Sequence, residues 1–143
     1  MNRKSFYIAS DHAGYDLKES LIEILQDKFQ IINLGCDSAK SVDYPDYANK
    51  LAEKLKSDNE SFGILICGTG IGISIAANRH KHIRAAICHD INAAKMSRKH
   101  NDANVVVLGS RVIDLKDALD IINVFATENF AAERHKLRVE KLS

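Results

Sequence analysis

The chain has 143 residues, 45% of them hydrophobic and 27% charged, with a formal net charge of +1. That length suits one domain spanning 1–143, and the near-neutral balance argues against a general nucleic-acid or membrane-surface binder. Three cysteines, Cys36, Cys67 and Cys88, form neither a CxxC pair nor an even-numbered framework, which points to free thiols in a reducing compartment, the cytoplasm. The N-terminal MNRKSFYIAS lacks the apolar core of a signal peptide, and no run approaches the ~20 residues of a membrane span.

Phe6 to Ala9 reads as a first strand, followed by the polar turn Ser10-Asp11-His12-Ala13-Gly14 and a helical pattern at Leu17, Leu21, Ile22, Ile24 and Leu25. Phe29 to Leu34 is a second strand closed by Gly35, and residues 36–44 form a polar loop up to Pro45, the only proline. Proline suits the first turn of a helix, and Tyr47, Ala48, Leu51, Ala52 and Leu55 mark one face of it. Phe62 to Cys67 is a third strand, broken by three glycines in Gly68-Thr69-Gly70-Ile71-Gly72 before another helix. Ile83 to Cys88 reads as a fourth strand, 91–100 as a helix, Val105 to Leu108 as a fifth strand, and 114–126 and 129–141 as terminal helices.

The strands are continuously apolar instead of alternating, as expected where helices cover both faces of a parallel sheet. The expected fold is a three-layer, doubly wound, Rossmann-like α/β/α domain with five strands. Ligands of such folds sit at the carboxyl ends of the strands, so Asp11, His12, Cys67 to Gly72, His89, Asp90 and Gly109 to Arg111 should face one edge.

The glycine loop is a near miss to two phosphate motifs. Ile73-Ser74 stand where a Walker loop needs Lys-Ser/Thr, and Ile73 replaces the third glycine of the dinucleotide fingerprint. What remains is a row of backbone N–H donors at a helix N-terminus, suited to an anion or a developing oxyanion. Cys67 ends the strand at that positive terminus, where a thiolate is favoured, although a cysteine at the end of an apolar strand is more often a small core residue, as Cys36 and Cys88 are read to be. Asp11-His12 and His100-Asn101-Asp102 are polar clusters with groups that move protons near neutral pH. His80 and His82 have metal-like spacing but lack a third ligand, and read as loop residues. Arg134 and Arg138, four apart, share a helix face that would suit a phosphate or simply be solvated.

Ser10 to Gly14, Asp43-Tyr44-Pro45, Cys67 to Asn78, Ser97-Arg98-Lys99-His100-Asn101-Asp102, Gly109-Ser110-Arg111 and Arg134-His135-x-x-Arg138 together carry a resemblance. From the first strand to the last helix the chain resembles type B ribose-5-phosphate isomerases and the related galactose-6-phosphate isomerase subunits. The resemblance implies aldose–ketose isomerisation through an enediolate, a step of the pentose phosphate pathway, without metal or organic cofactor. Cys67 would carry the proton between C1 and C2. Some relatives place a glutamate for this task where Ile75 stands, so the chain resembles the cysteine-using branch. The N–H groups of Gly68, Thr69, Gly70, Ile71 and Gly72 would hold the enediolate oxygen, assisted by the Thr69 hydroxyl. His100, helped by Asp11, would open the furanose ring, and Asn101 would bind sugar hydroxyls. His12, Arg111, Arg134 and Arg138 would take the phosphate, with Tyr44 lining the pocket. The resemblance further implies a homodimer or dimer of dimers with sites shared between subunits. Six-carbon sugar phosphates (allose or galactose 6-phosphate) are the alternative substrates, and a non-catalytic sugar-phosphate or nucleotide binding module on the same scaffold is the alternative class.

Overall fold

Residues 3–143 are described by the computed structural model. Five strands, β1 (Ser5–Ser10), β2 (Gln30–Asn33), β3 (Phe62–Cys67), β4 (Ala85–Ile87) and β5 (Val105–Gly109), form one parallel sheet in the order β2-β1-β3-β5-β4. Helices α1 (Tyr15–Leu25), α2 (Tyr44–Lys56), α3 (Ile71–Asn78), α4 (Ile91–Asn101) and α5 (Leu115–Thr127) connect or follow the strands, and α6 (His135–Glu140) ends the fold. Because strand side chains alternate in direction, β1, β3 and β5 supply two cores. Phe6, Ile8, Phe62, Ile64, Ile66, Val106 and Leu108 meet Leu21, Ala94, Ile121 and Phe125 of α1, α4 and α5 on one face. Ala9, Leu65, Cys67, Val105 and Val107 meet Leu51, Ala52, Ile73 and Ala77 of α2 and α3 on the other. Every residue of β3 is buried, as its unbroken apolar run requires.

Strand order reverses direction between β1 and β3, so the loops leaving these two strands diverge to opposite faces and open a crevice at their carboxyl ends. At the far side of the sheet β4 is an edge strand. There the Asn78 carboxamide donates to the Ala85 carbonyl at 2.9 Å and accepts from the Ala85 amide at 2.8 Å, pairing both outward polar groups of that residue.

Three expected boundaries need correction. The strand expected over 83–88 is only Ala85–Ile87, because the Ile83 amide turns back to the His80 carbonyl. β2 loses Phe29, whose amide closes the end of α1 on the Leu25 carbonyl. The helix expected over 129–141 is reduced to α6, since Ala132 (φ 56°) and Glu133 (φ 42°) adopt left-handed conformations that interrupt any helix before His135. Among the described residues no helix is long and apolar enough to cross a membrane. The expectation of no signal peptide rests partly on Met1 and Asn2, which lie outside the described residues.

Candidate active site

β3 delivers Cys67 to the crevice, and the next three residues turn the chain into α3. The turn needs Gly70 at φ 82°, a left-handed conformation that side-chain-bearing residues rarely adopt. Its result is that the Gly70 amide donates to Cys67 Sγ at 3.2 Å. A thiolate is the proton-moving form of a cysteine, and a donated N–H beside a helix N-terminus stabilises one. Cys67 is 5% exposed, so the sulfur is largely shielded from bulk water. The Ile71 amide is taken by Thr69 Oγ1 at 3.2 Å. Among the described residues, the amides of Gly68, Thr69 and Gly72 complete no hydrogen bond with a protein acceptor, which leaves these three as the donors for an oxyanion.

The neighbouring loops close around this turn. Asp11, buried after β1, donates its amide to the Ile66 carbonyl at 3.2 Å and accepts from the Gly14 amide through Oδ1 at 3.1 Å. After β5, the Ser110 amide binds the Cys67 carbonyl and the Arg111 amide binds the Gly68 carbonyl, both at 2.9 Å, while Ser110 Oγ donates to the Ala13 carbonyl. These bonds fold Arg111 over Gly68 so closely that a Cβ there would lie 2.6 Å from Nη1. Tyr44, the first residue of α2, packs its ring against Gly72. The Val42 amide donates to His12 Nδ1 at 3.1 Å, which in the neutral ring places the proton on Nε2. Asp11, His12, Tyr44, Cys67 to Gly72 and Arg111 therefore converge.

His89 and Asp90 also leave the carboxyl edge, but from β4 at the sheet's margin. They line a separate cavity of about 260 Å³ with Asp117 and Asp120, and Asp90 caps α4 by accepting from the Ala93 amide. Cys36 and Cys88 are buried core thiols, as expected. His80 Nε2 lies 2.8 Å from Asn49 Oδ1 and His82 Nε2 lies 2.7 Å from the Ala52 carbonyl. Among the described residues no three His, Cys, Asp or Glu side chains are grouped to hold a metal.

His100, Asn101, Arg134 and Arg138 form a second group at the opposite edge. The pairing of Gly63 with Val105 and Cys67 with Gly109 fixes the direction of β5, and α4 ends just before that strand begins. His100 is thus separated from Cys67 by at least the length of β5, roughly 13 Å at ~3.3 Å per residue. The buried Arg98 organises this end of α4. It pairs with Asp102 at 2.9 Å, donates to the Ala103 and Glu128 carbonyls, and lies over the Phe62 and Phe125 rings. The Ala131 amide binds the Lys99 carbonyl, which brings α6 beside α4 and stacks His135 on His100. Sequence reading overlooked both Arg98 and His135, although each lies in a motif it had marked. Their roles depend on partners 30 and 35 residues away that periodicity does not pair.

A surface depression of about 810 Å³ lies at the amino edge among Arg3, Lys4, Gln30, Asp58 and Glu60. It is an open groove that contains none of the residues described above. The crevice brings together a shielded thiol, free amides and an arginine whose carboxylate partners are absent among the described residues, a set of groups that suits an anionic ligand.

Comparison with known proteins narrows that class. The sequence profile of the ribose/galactose isomerase family matches residues 6–142, and the chain belongs to that family. Ribose-5-phosphate isomerase B of Escherichia coli is 39% identical over 141 residues, covering 98% of this chain and 95% of its own. A ribose 5-phosphate isomerase from Thermotoga maritima superposes with a TM-score of 0.95 at 44% identity, covering 97% of both chains. Ribose-5-phosphate isomerase B from Mycoplasma genitalium, solved with bound ribulose 5-phosphate, gives a TM-score of 0.93 at 37% identity over 99% of this chain and 95% of that one. The chain is a sugar-phosphate isomerase by family and a five-stranded parallel α/β protein by fold.

Proposed function

We propose that the protein interconverts D-ribose 5-phosphate and D-ribulose 5-phosphate through an enediolate, with Cys67 as base. The observation that carries the reading is Cys67 at the end of β3, with the Gly70 N–H directed at its sulfur and Arg111 folded over the adjoining residue. The ribulose 5-phosphate bound by the M. genitalium relative supports the choice of sugar.

The Cys67 thiolate takes the proton from C2 of the open-chain aldose and returns it to C1, while the hydroxyl proton passes from O2 to O1. Negative charge develops on the oxygen at C1, where the Gly68, Thr69 and Gly72 amides and the Thr69 hydroxyl are assigned to it. His12 offers Nε2–H, and Arg111 its guanidinium, to the phosphate. Held at this remote end, the phosphate supplies binding energy that orients C1 and C2 against the sulfur. Tyr44 lines the pocket, and Asp11 assists the ring opening.

His100, Asn101, Arg134 and Arg138 cannot reach Cys67 of their own chain, and their separation supports a site shared by two protomers. In a homodimer or dimer of dimers, one protomer contributes Cys67 and its partner contributes ring opening by His100, hydroxyl binding by Asn101 and phosphate binding by the two arginines. Three unpaired cysteines suit the reducing cytoplasm.

Purified protein alone should convert ribose 5-phosphate to ribulose 5-phosphate. Activity confined to a six-carbon sugar phosphate, or requiring a second kind of chain, overturns the assignment. Cys67→Ala should lower turnover about 10²–10⁴-fold while nearly preserving ligand affinity. Undiminished turnover removes Cys67 as the base, and binding without turnover by the unaltered protein leaves a binding module.

A further inference from the structure

We propose that His135 is a positioning residue for His100, fixing the plane of its imidazole and hence the direction in which it exchanges a proton with the sugar ring oxygen. The inference rests on the ring-opening role proposed for His100 and assigns a function to a side chain that role leaves unused.

The two rings stack with centroids 4.3 Å apart and planes 20° apart. The stack is built by a segment whose backbone departs from the simplest path. A helix running on from α5 would carry α6 away from α4. Instead, residues 128–134 are irregular, the Ala131 amide is tied to the Lys99 carbonyl at 3.0 Å, and Ala132 and Glu133 take positive φ. The Ala132 carbonyl then receives the His135 amide at 2.7 Å and the Lys136 amide at 3.2 Å, starting α6 at the stacked residue itself. Arg98 holds both sides of the arrangement, through Glu128 before the segment and through Asp102 and Ala103 after α4.

Orientation matters because a histidine that opens a furanose must aim one ring nitrogen at the ring oxygen. Rotation about the bond joining ring to chain is soft for imidazole, so without a neighbour the plane is poorly defined. A stacked ring removes that freedom while leaving the edge nitrogens open to a substrate. Charge keeps the stack intact. Burial pushes the His135 imidazole below its usual range, and His100, Arg134 and Arg138 add to the effect against Glu133, which favours its neutral form. Two facing imidazolium rings beside two guanidinium groups would repel. With His135 neutral, its face meets His100 in either protonation state.

The test compares His135→Ala with His135→Phe, which keeps a flat ring but no titratable nitrogen. His135→Ala should lower kcat for ribose 5-phosphate roughly two- to tenfold, the range one aromatic pair supports, with little change in KM. His135→Phe should restore it. Turnover of 4-deoxyribose 5-phosphate, which lacks the oxygen needed to close a furanose, should not respond to either change. The His100 ring protons, followed by NMR, should move downfield in His135→Ala as the ring current is lost and stay near their original position in His135→Phe. An unmoved His100 signal in His135→Ala, equal losses on both sugars, or a phenylalanine variant as impaired as the alanine one overturns the inference. If the unaltered protein fails to act on ribose 5-phosphate, the functional reading falls with the ring-opening role, and the His100 signal in the same samples still decides whether His135 holds that ring.

Discussion

Cys67 ends β3 and Cys88 directly follows β4, both at the carboxyl edge with β5 between the two strands, yet their surroundings differ. Cys67 receives a backbone N–H beside a helix start. Cys88 is fully buried, and burial, aided by Asp90 and opposed by Ser97, pushes its thiol up to about 11 from 9.0. A thiol whose pKa is raised on folding stabilises the native state fully below the unfolded value and loses that contribution as pH rises from about 9 to about 11. In denaturant titrations, the stability advantage of the unaltered protein over Cys88→Ala should therefore shrink between these pH values, by at most roughly 2–3 kcal/mol. A constant gap would show that Cys88 does not titrate with unfolding. The position of Cys67 at the end of an apolar run before three glycines was legible in the sequence because both signals are local. That its sulfur would receive the Gly70 amide was not, since this follows from the φ of 82° at Gly70.

At the level of elements, α4 and α6 divide what is local from what is not. The α4 boundary was read to within a residue because Asp90 caps its start and Asp102, in a left-handed conformation, ends it. The end of the chain was misread because Ala132 and Glu133 turn at positive φ without any glycine to announce it. Arg98 ties α4 to the end of α5 and to the aromatic core formed by Phe6, Phe29, Phe62 and Phe125. Replacing it leaves the Ala103 and Glu128 carbonyls and the Asp102 carboxylate without their donor. Arg98→Ala should cost about 2–4 kcal/mol by chemical denaturation, through lost charged hydrogen bonds and lost packing. A loss below about 0.5 kcal/mol would mean that Arg98 acts as a surface residue.

On the scale of the molecule, the two groups of candidate residues at opposite sheet edges make activity a property of pairs of chains under the proposed shared site. Mixing Cys67→Ala with His100→Asn after reversible dissociation should recover about a quarter of normal activity. Half of randomly re-formed dimers are mixed, and each of those holds one intact site of two. No recovery, with mixed dimers demonstrated by mass, would place a complete site within one chain. The α/β class and the carboxyl-edge crevice were readable from the alternation of elements, whereas the separation of His100 from Cys67 emerged only with the strand register.

The free margin of the sheet limits how such pairs can form. With the outward amide and carbonyl of Ala85 both taken by the Asn78 carboxamide, a strand from another chain meets an occupied position at the first residue of β4. At this margin, sheet growth from chain to chain is hindered by one side chain of α3. Ile71 and Ile75, exposed one turn apart on that same helix, leave side-chain packing as the alternative mode of association. One short helix thus begins beside the turn that holds Cys67, covers part of one sheet edge, and carries an apolar stripe compatible with a closed assembly.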